Sequence, residues 1–247
     1  MSRPAPHRKP FVPSEKPSSY PPDWRLVQMK LLKALLADDD RQALDIAALI
    51  SNRQELLDFY HNAIQPAMYE VGRMWESGEV SVAQEHRASA RVGRIMASLH
   101  AAFISSDGTT GRAVVAAVTN EHHEMGAWIV SDSLELDNWD VHYLGANPSR
   151  EELVKLVMSD QPDLVALSVT ISSNITQVRD IISDIRSNPQ LKNIPILAGG
   201  LALNQSPDSW KTIGADAYAP DALSAVRVAR NLLEHHKRSP QTHGHST

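Results

Sequence analysis

The sequence predicts an α/β protein in two parts: a bundle of four helices, then a five-stranded parallel sheet with helices on both faces. Three observations predict it. Apolar residues recur at helical spacing from about residue 23 to residue 104. From Arg112 onward, short and nearly continuous apolar runs alternate five times with helical patterns, as strands buried on both faces require. Between the two regimes lies a short polar stretch, Ser105 to Gly111, built from Ser, Asp, Gly and Thr.

Residues 1–22 hold seven prolines among Ser, Lys and Arg. That composition buries too little apolar area to order itself, so a disordered arm is expected. Asp23 is placed to cap a first helix, with Leu26, Met29, Leu32, Leu35 and Leu36 marking its apolar face. Residues 39–50 repeat the pattern with Ala43, Ile46, Ala47 and Ile50. A third helix is expected from Arg53 to Trp75, kinked at Pro66. Gly78 breaks the chain, and Ser81 opens a fourth helix that runs to about Ala102. Residues 23–104 therefore read as a four-helix bundle, and 105–111 as a linker. Strands are expected near 112–118, 140–144, 164–169, 195–198 and 216–218. Helices are expected near 124–137, 149–160, 174–187, 205–213 and 221–235. Five such units over 112–235 suggest the flavodoxin-like (Rossmann-like) strand order, whose ligands sit over the carboxyl ends of the strands. The bundle is then expected as a lid over that edge. The histidine-rich end, 236–247, is expected to be a disordered tail.

Composition narrows the function. The 247 residues include no cysteine, which excludes disulfides, zinc–thiolate sites, iron–sulfur clusters and cysteine nucleophiles. A formal net charge of −5 without a basic stripe argues against direct nucleic-acid binding. No apolar run reaches the ~18 residues that would span a membrane, and Met1-Ser2-Arg3-Pro4 opens no signal peptide. A cytoplasmic protein is expected. There is no Ser-His-Asp order, no His-Glu-x-x-His and no phosphate loop, and Gly199-Gly200 is too short and too late for a dinucleotide fingerprint. A non-enzyme is the expectation.

The residues that carry chemistry begin at Glu121-His122-His123-Glu124-Met125-Gly126, in the turn after the first expected strand. The spacing Glu-x-His-x-x-Gly puts one imidazole at a strand's carboxyl end. Glu121 can accept the ring's second N–H, fixing the tautomer and making the other nitrogen a better metal ligand. Gly126 lets a bulky planar ligand approach the backbone. A single histidine suits a cofactor that brings most of its own metal coordination. The same turn alone also fits a structural histidine.

The string resembles the Asp-x-His-x-x-Gly signature of cobalamin-binding domains, in which the histidine is the lower axial ligand of cobalt. The resemblance implies that role for His123. Glu121 stands where Asp is usual, a methylene longer, so its contact to His123 is either direct or through water. Ser168-Val169-Thr170 closes a second strand where that family carries Ser-x-Leu or Ser-x-Thr beside the nucleotide tail, and Gly199-Gly200 closes a third, matching the family's Gly-Gly. The resemblance covers about Arg112 to Leu233.

Within the bundle, Trp75 is followed after nine residues by Glu85-His86. Taken alone, Trp75 fits a core aromatic ending a helix, and Glu85 and His86 fit a solvated face. Beside a cobalamin domain, the string resembles the Trp-x9-Glu-His signature of light-sensing cobalamin proteins of the CarH type. There the tryptophan covers the upper face of the corrin and the Glu-His pair lines the adenosyl pocket. Two departures follow. The residue after the tryptophan is a histidine in those sensors and Glu76 here, which leaves hydroxo- or aquo-cobalamin, His86, or another chromophore to complete the upper site. Where they carry a helix-turn-helix DNA-binding domain, the proline-rich arm is expected here instead, an architecture similar to cobalamin-binding antirepressors that act on a partner protein.

The resemblance implies a cobalamin-binding sensor, adenosylcobalamin favoured, that responds to light and signals to a transcription regulator or signalling protein, with a homo-oligomer left open. The alternatives are a corrinoid carrier of a methyltransferase system, a sensor holding an additional noncovalent linear tetrapyrrole (bilin), a mutase small subunit, and a degenerate domain.

Overall fold

A computed structural model describes residues 22–104, 110–206 and 208–238. The expected arm (1–21), most of the linker (105–109) and the end of the tail (239–247) lie outside the described residues. The chain divides into two compact units, Met1–Ile104 and Ser105–Thr247.

The first unit is helical: α1 (Trp24–Leu36), α2 (Asp40–Ala47), α3 (Arg53–Phe59), α4 (Gln65–Glu76) and α5 (Val82–Phe103). Side chains cap the starts. Asp23, Asp39 and Asn52 accept N–H groups of α1, α2 and α3, and Ser81 forms a reciprocal capping box with Gln84 at α5. The expected third helix is α3 and α4 joined by a π-helical turn, Tyr60–Ile64, in which the Gln65 N–H donates to Tyr60 O, five residues back. Pro66 supplies the reason. It has no N–H to donate, and its ring would strike the carbonyl of Asn62 in a regular α-helix, so the turn before it widens.

The apolar face of α1 differs from the expected one. Leu31, Ala34 and Leu35 are buried, and Trp24 packs on Phe59 with ring centroids 6.3 Å apart, while Leu26 and Met29 are exposed. With apolar residues on nearly every side of this helix, spacing alone does not select the stripe, and Ala34 and Trp24 decide it by packing. On α2, Ala43, Ile46 and Ala47, with Ile50 just beyond, are buried as expected. Arg91 of α5 is also buried. Its guanidinium donates to Leu35 O (2.9 Å) and to the carboxylates of Asp38 and Asp40, tying α5 to the α1–α2 turn.

The second unit is a parallel sheet of β1 (Arg112–Ala117), β2 (Asp140–Tyr143), β3 (Leu164–Ser168), β4 (Ile196–Gly199) and β5 (Ala217–Ala219), in the order β2-β1-β3-β4-β5. This is the flavodoxin-like order expected from the alternation. The helices are α6 (Met125–Leu136), α7 (Arg150–Asp160), α8 (Ile175–Ser187), the short α9 (Leu201–Asn204) and α10 (Ser209–Thr212), and α11 (Ala222–Arg238). Both faces of the sheet are buried. Val114 and Ala116 of β1 join Val165 and Leu167 of β3 against Val157 of α7 and Val178 and Ile181 of α8. Ala113, Val115 and Ala117 face the other way, with Ala127 and Leu134 of α6 and Ala225 and Ala229 of α11.

Two boundaries differ from expectation. Of the helix expected over 205–213, the short α10 forms within those bounds, and a further short helix, α9, precedes them directly after Gly200. α11 continues to Arg238, three residues into the expected tail. His235, His236 and Lys237 lie in the last turns of this helix, where the negative end of its dipole favours cations.

Candidate functional site

The order of the strands creates the site. In this topology the chain leaves β1 toward β2 and returns to β3 on the other side, so the carboxyl ends of β1 and β3 flank a switch point where loops diverge. His123 lies in the loop after β1 and Ser168 closes β3, in register with Ala117 of β1 and Gly199 of β4. Seven of the residues singled out in the sequence thus gather on one edge: Glu121, His123, Gly126, Ser168, Thr170, Gly199 and Gly200.

Glu121 organises it. Its residue is fully buried, yet both carboxylate oxygens are engaged. Oε1 accepts the backbone N–H of His123 (3.0 Å) and lies 2.7 Å from His123 Nδ1. Oε2 accepts the N–H groups of Thr170 and Ile171 (both 2.9 Å) and the Asn174 side-chain amide (3.3 Å). Burial pushes the carboxyl upward. The donors outweigh it, first the His123 ring and then the backbone N–H groups of Ile171, His123 and Thr170, and hold it down to about 2. A carboxylate that stays ionised can only accept at Nδ1, so the proton of neutral His123 resides there and Nε2 carries the lone pair that a metal needs. The added methylene of Glu over Asp leaves the contact to His123 direct. His123 is exposed, its side chain at 48%, and His122 beside it is exposed as well.

The other members differ in what they contribute. Gly126 is the second residue of α6, and a Cβ there would meet Ser168 Oγ at 3.4 Å, an ordinary contact. The fold itself does not require glycine at 126. Gly200 is the opposite case. Its φ is +104°, and a Cβ would stand 2.2 Å from Val169 O. A Cβ on Gly199 would stand 2.7 Å from Ala219 O. The pair lets three strand ends close on one another, a role for these residues within the fold itself. Thr170 brings its backbone N–H to Glu121.

Trp75, Glu85 and His86 belong to the helical unit. Trp75 is in the last turn of α4 and is 42% exposed, so it is not a core aromatic. Gly78, at φ +78°, reverses the chain toward Ser81, and Glu85 and His86 follow in the first turns of α5. Glu85 is hydrogen-bonded through Oε2 to His86 Nδ1 and accepts Ser89 Oγ through Oε1 at 2.7 Å. The imidazole is exposed, its side chain at 74%.

Asn120, Asn147, Asn174 and Ser89 were not singled out in the sequence. The Asn147-Pro148 pair is a turn signal that marks its loop. Nothing local marks Asn174, whose partner Glu121 lies 53 residues away. Among the described residues no helix is long and apolar enough to cross a membrane.

The donor set fits a corrinoid: one imidazole with its tautomer fixed, a small residue beside it, and a sheet edge of loops. Such a group would bring a cobalt centre that His123 would hold through its Nε2. Comparison with known proteins agrees. Residues 27–100 match one B12 binding domain model and 111–227 match another, together more than half of the chain. The HTH-type transcriptional repressor CarH of Myxococcus xanthus is 30% identical over 182 residues, 72% of this chain and 58% of that protein. The chain therefore spans under two thirds of that relative. Dimethylamine corrinoid protein 1 of Methanosarcina acetivorans is 24% identical over 179 residues, covering 71% of this chain and 83% of the relative. The fold is shared with the structure of the Methanosarcina barkeri monomethylamine corrinoid protein, at a TM-score of 0.70 and 17% identity, over 85% of this chain and 97% of that one. The chain is a cobalamin-binding protein of the B12 binding domain family, with a helical domain ahead of a Rossmann-like one.

Proposed function

We propose that the chain is a cobalamin-dependent sensor, most simply of light, whose output is a change in its association with a protein partner. His123 would ligate the cobalt of the bound cofactor. Trp75, Glu85 and His86 select an adenosyl-sized upper substituent. The observation that carries this reading is Trp75 standing exposed one turn before a capped helix start bearing Glu85 and His86. A large flat apolar ring left in solvent suits a cofactor face. Glu85 and His86 offer directed acceptors and donors suited to ribose hydroxyls. Loss of an adenosyl group in light would take with it the contacts that Trp75, Glu85 and His86 would make to it in the dark. The resulting shift is bounded by that difference in binding, on the order of 1–3 kcal/mol for an allosteric coupling.

The competing reading is a corrinoid carrier for a methyltransferase, favoured by the fold shared with the monomethylamine corrinoid protein. A methyl group needs a smaller apolar pocket than Trp75, Glu85 and His86 provide. A bilin held between other groups is a third reading, and with no cysteine in the sequence its attachment would be noncovalent.

The test is the absorption spectrum of the purified protein with adenosylcobalamin, in the dark and after green light, followed by light scattering and partner pull-down in both states. Photolysis with a change in hydrodynamic size, oligomeric state or partner retention, and unchanged secondary structure, is expected. Confirmed photolysis with identical behaviour in both states would put the carrier reading first.

Trp75→Ala provides a second check. The variant is expected to weaken adenosylcobalamin relative to hydroxocobalamin, by less than the roughly 3–5 kcal/mol that a fully buried aromatic costs. Paired titrations measure it, and equal changes for the two forms would remove Trp75 from the upper-face pocket.

A further inference from the structure

The turn that carries His123 is clamped from the side by the loop after β2. Three hydrogen bonds run along it in succession. Thr119 Oγ1 donates to Pro148 O at 2.9 Å, the Asn120 N–H donates to Asn147 Oδ1 at 2.8 Å, and the Asn147 N–H donates to Glu121 O at 3.0 Å. Asn147 thus supplies both a side-chain acceptor and a backbone donor to the two residues that precede His122-His123. From the other side, the Asn174 amide donates to Asn120 O at 3.0 Å. Asn120 and Asn147 both hold left-handed backbone, with φ of 64° and 51°, a conformation asparagine tolerates better than most residues.

The geometry points to Asn147 as a positioning residue for His123, acting through the backbone of Asn120 and Glu121. This rests on His123 being the lower ligand of cobalt. The two oxygens of Glu121 are committed in different directions, one to His123 and one to the amides after β3. They meet both sets only while the peptides at 120 and 121 keep their orientation. Asn147 holds both peptides, one through Asn120 N–H and one through Glu121 O. Releasing it lets the Glu121 carboxylate drift off Nδ1, and the imidazole loses both its aim and its fixed tautomer. The loop after β2, which holds no residue of the recognised motifs, is thereby part of the ligand assembly.

The test separates the side chain from the backbone. Asn147→Gly keeps the left-handed conformation and removes the acceptor, whereas Asn147→Asp keeps an acceptor oxygen in place. The full chain and both variants are titrated with hydroxocobalamin, and the absorption spectrum reports whether the bound cobalt is imidazole-ligated or base-off. Urea unfolding of the unliganded proteins runs alongside. Asn147→Gly is expected to weaken binding on the order of three- to tenfold, the effect of one hydrogen bond, and to move part of the spectrum to base-off. Asn147→Asp is expected to restore the native spectrum. Native affinity and spectrum in Asn147→Gly would overturn the inference. So would weaker binding with the spectrum still fully imidazole-ligated, since Asn147 would then serve only the loop. A native spectrum unaltered by His123→Ala would overturn the ligand assignment itself, and this inference with it.

Discussion

Replacing His123 by alanine is expected to turn bound cobalamin base-off, or to abolish binding, while His122→Ala leaves affinity and spectrum as they were. The two histidines are adjacent and both exposed. His123 alone of the pair rests its Nδ1 on the buried Glu121 carboxylate, which would leave Nε2 to coordinate a metal. Outer partners of a metal ligand typically contribute about 10–100-fold in affinity, and removing the ligand itself is expected to exceed that range. Titration with hydroxocobalamin, read by absorption, measures both quantities at once. Should the two alanine variants behave alike, His123 is not the ligand.

Gly200→Ala is expected to be the most destabilising single methyl group in the sheet domain. The new Cβ would stand 2.2 Å from Val169 O, 2.7 Å from Val169 N and 2.8 Å from Val169 C, all backbone atoms of a strand end that cannot swing aside. Its φ of +104° adds strain for any residue with a side chain. Strain of about 1–3 kcal/mol and overpacking of about 1–3 kcal/mol combine to roughly 2–6 kcal/mol. Against a typical total of about 5–15 kcal/mol, the upper end leaves the domain largely unfolded. Gly126→Ala is the matched comparison. It adds the same methyl group in ordinary contact with Ser168 Oγ, within a helix, so the unliganded protein should keep its stability or gain about 0.5–1 kcal/mol. Urea unfolding of both variants without cofactor measures the contrast. A Gly200→Ala midpoint equal to the native one would mean that the strand ends separate freely.

The strands of the sheet domain were legible because each is short and bounded by a helical pattern and all but β2 (Asp-Val-His-Tyr) are largely apolar, and the order of units leaves few topologies once both faces must be covered. His123 and its carboxylate were legible because they lie two residues apart. The rest of the assembly was not, because it is made by chain segments remote in sequence. The Thr170 and Ile171 amides reach Glu121 from 49 and 50 residues away, and they contribute backbone, which no residue type advertises. Glycines at 126 and 200 look alike in a motif, and only the neighbouring backbone shows that one is required by the fold and the other is not. On α1, a helix with apolar residues on nearly every side gave no unique stripe, and packing of Trp24 on Phe59 chose it.

The π turn at Tyr60–Ile64 sets the azimuth of everything after it on that helix. It takes up one residue more than an α-helical turn for the same stretch of ladder. Each later side chain therefore faces about 100° away from where an unbroken α-helix would have aimed it. Trp75 lies eleven residues beyond the turn and inherits that rotation. Pro66 keeps the turn before it widened, so the direction of the indole is set by a residue nine positions earlier in the chain. The helical unit thus carries a bearing for Trp75 that is set at a distance from the side chain it directs.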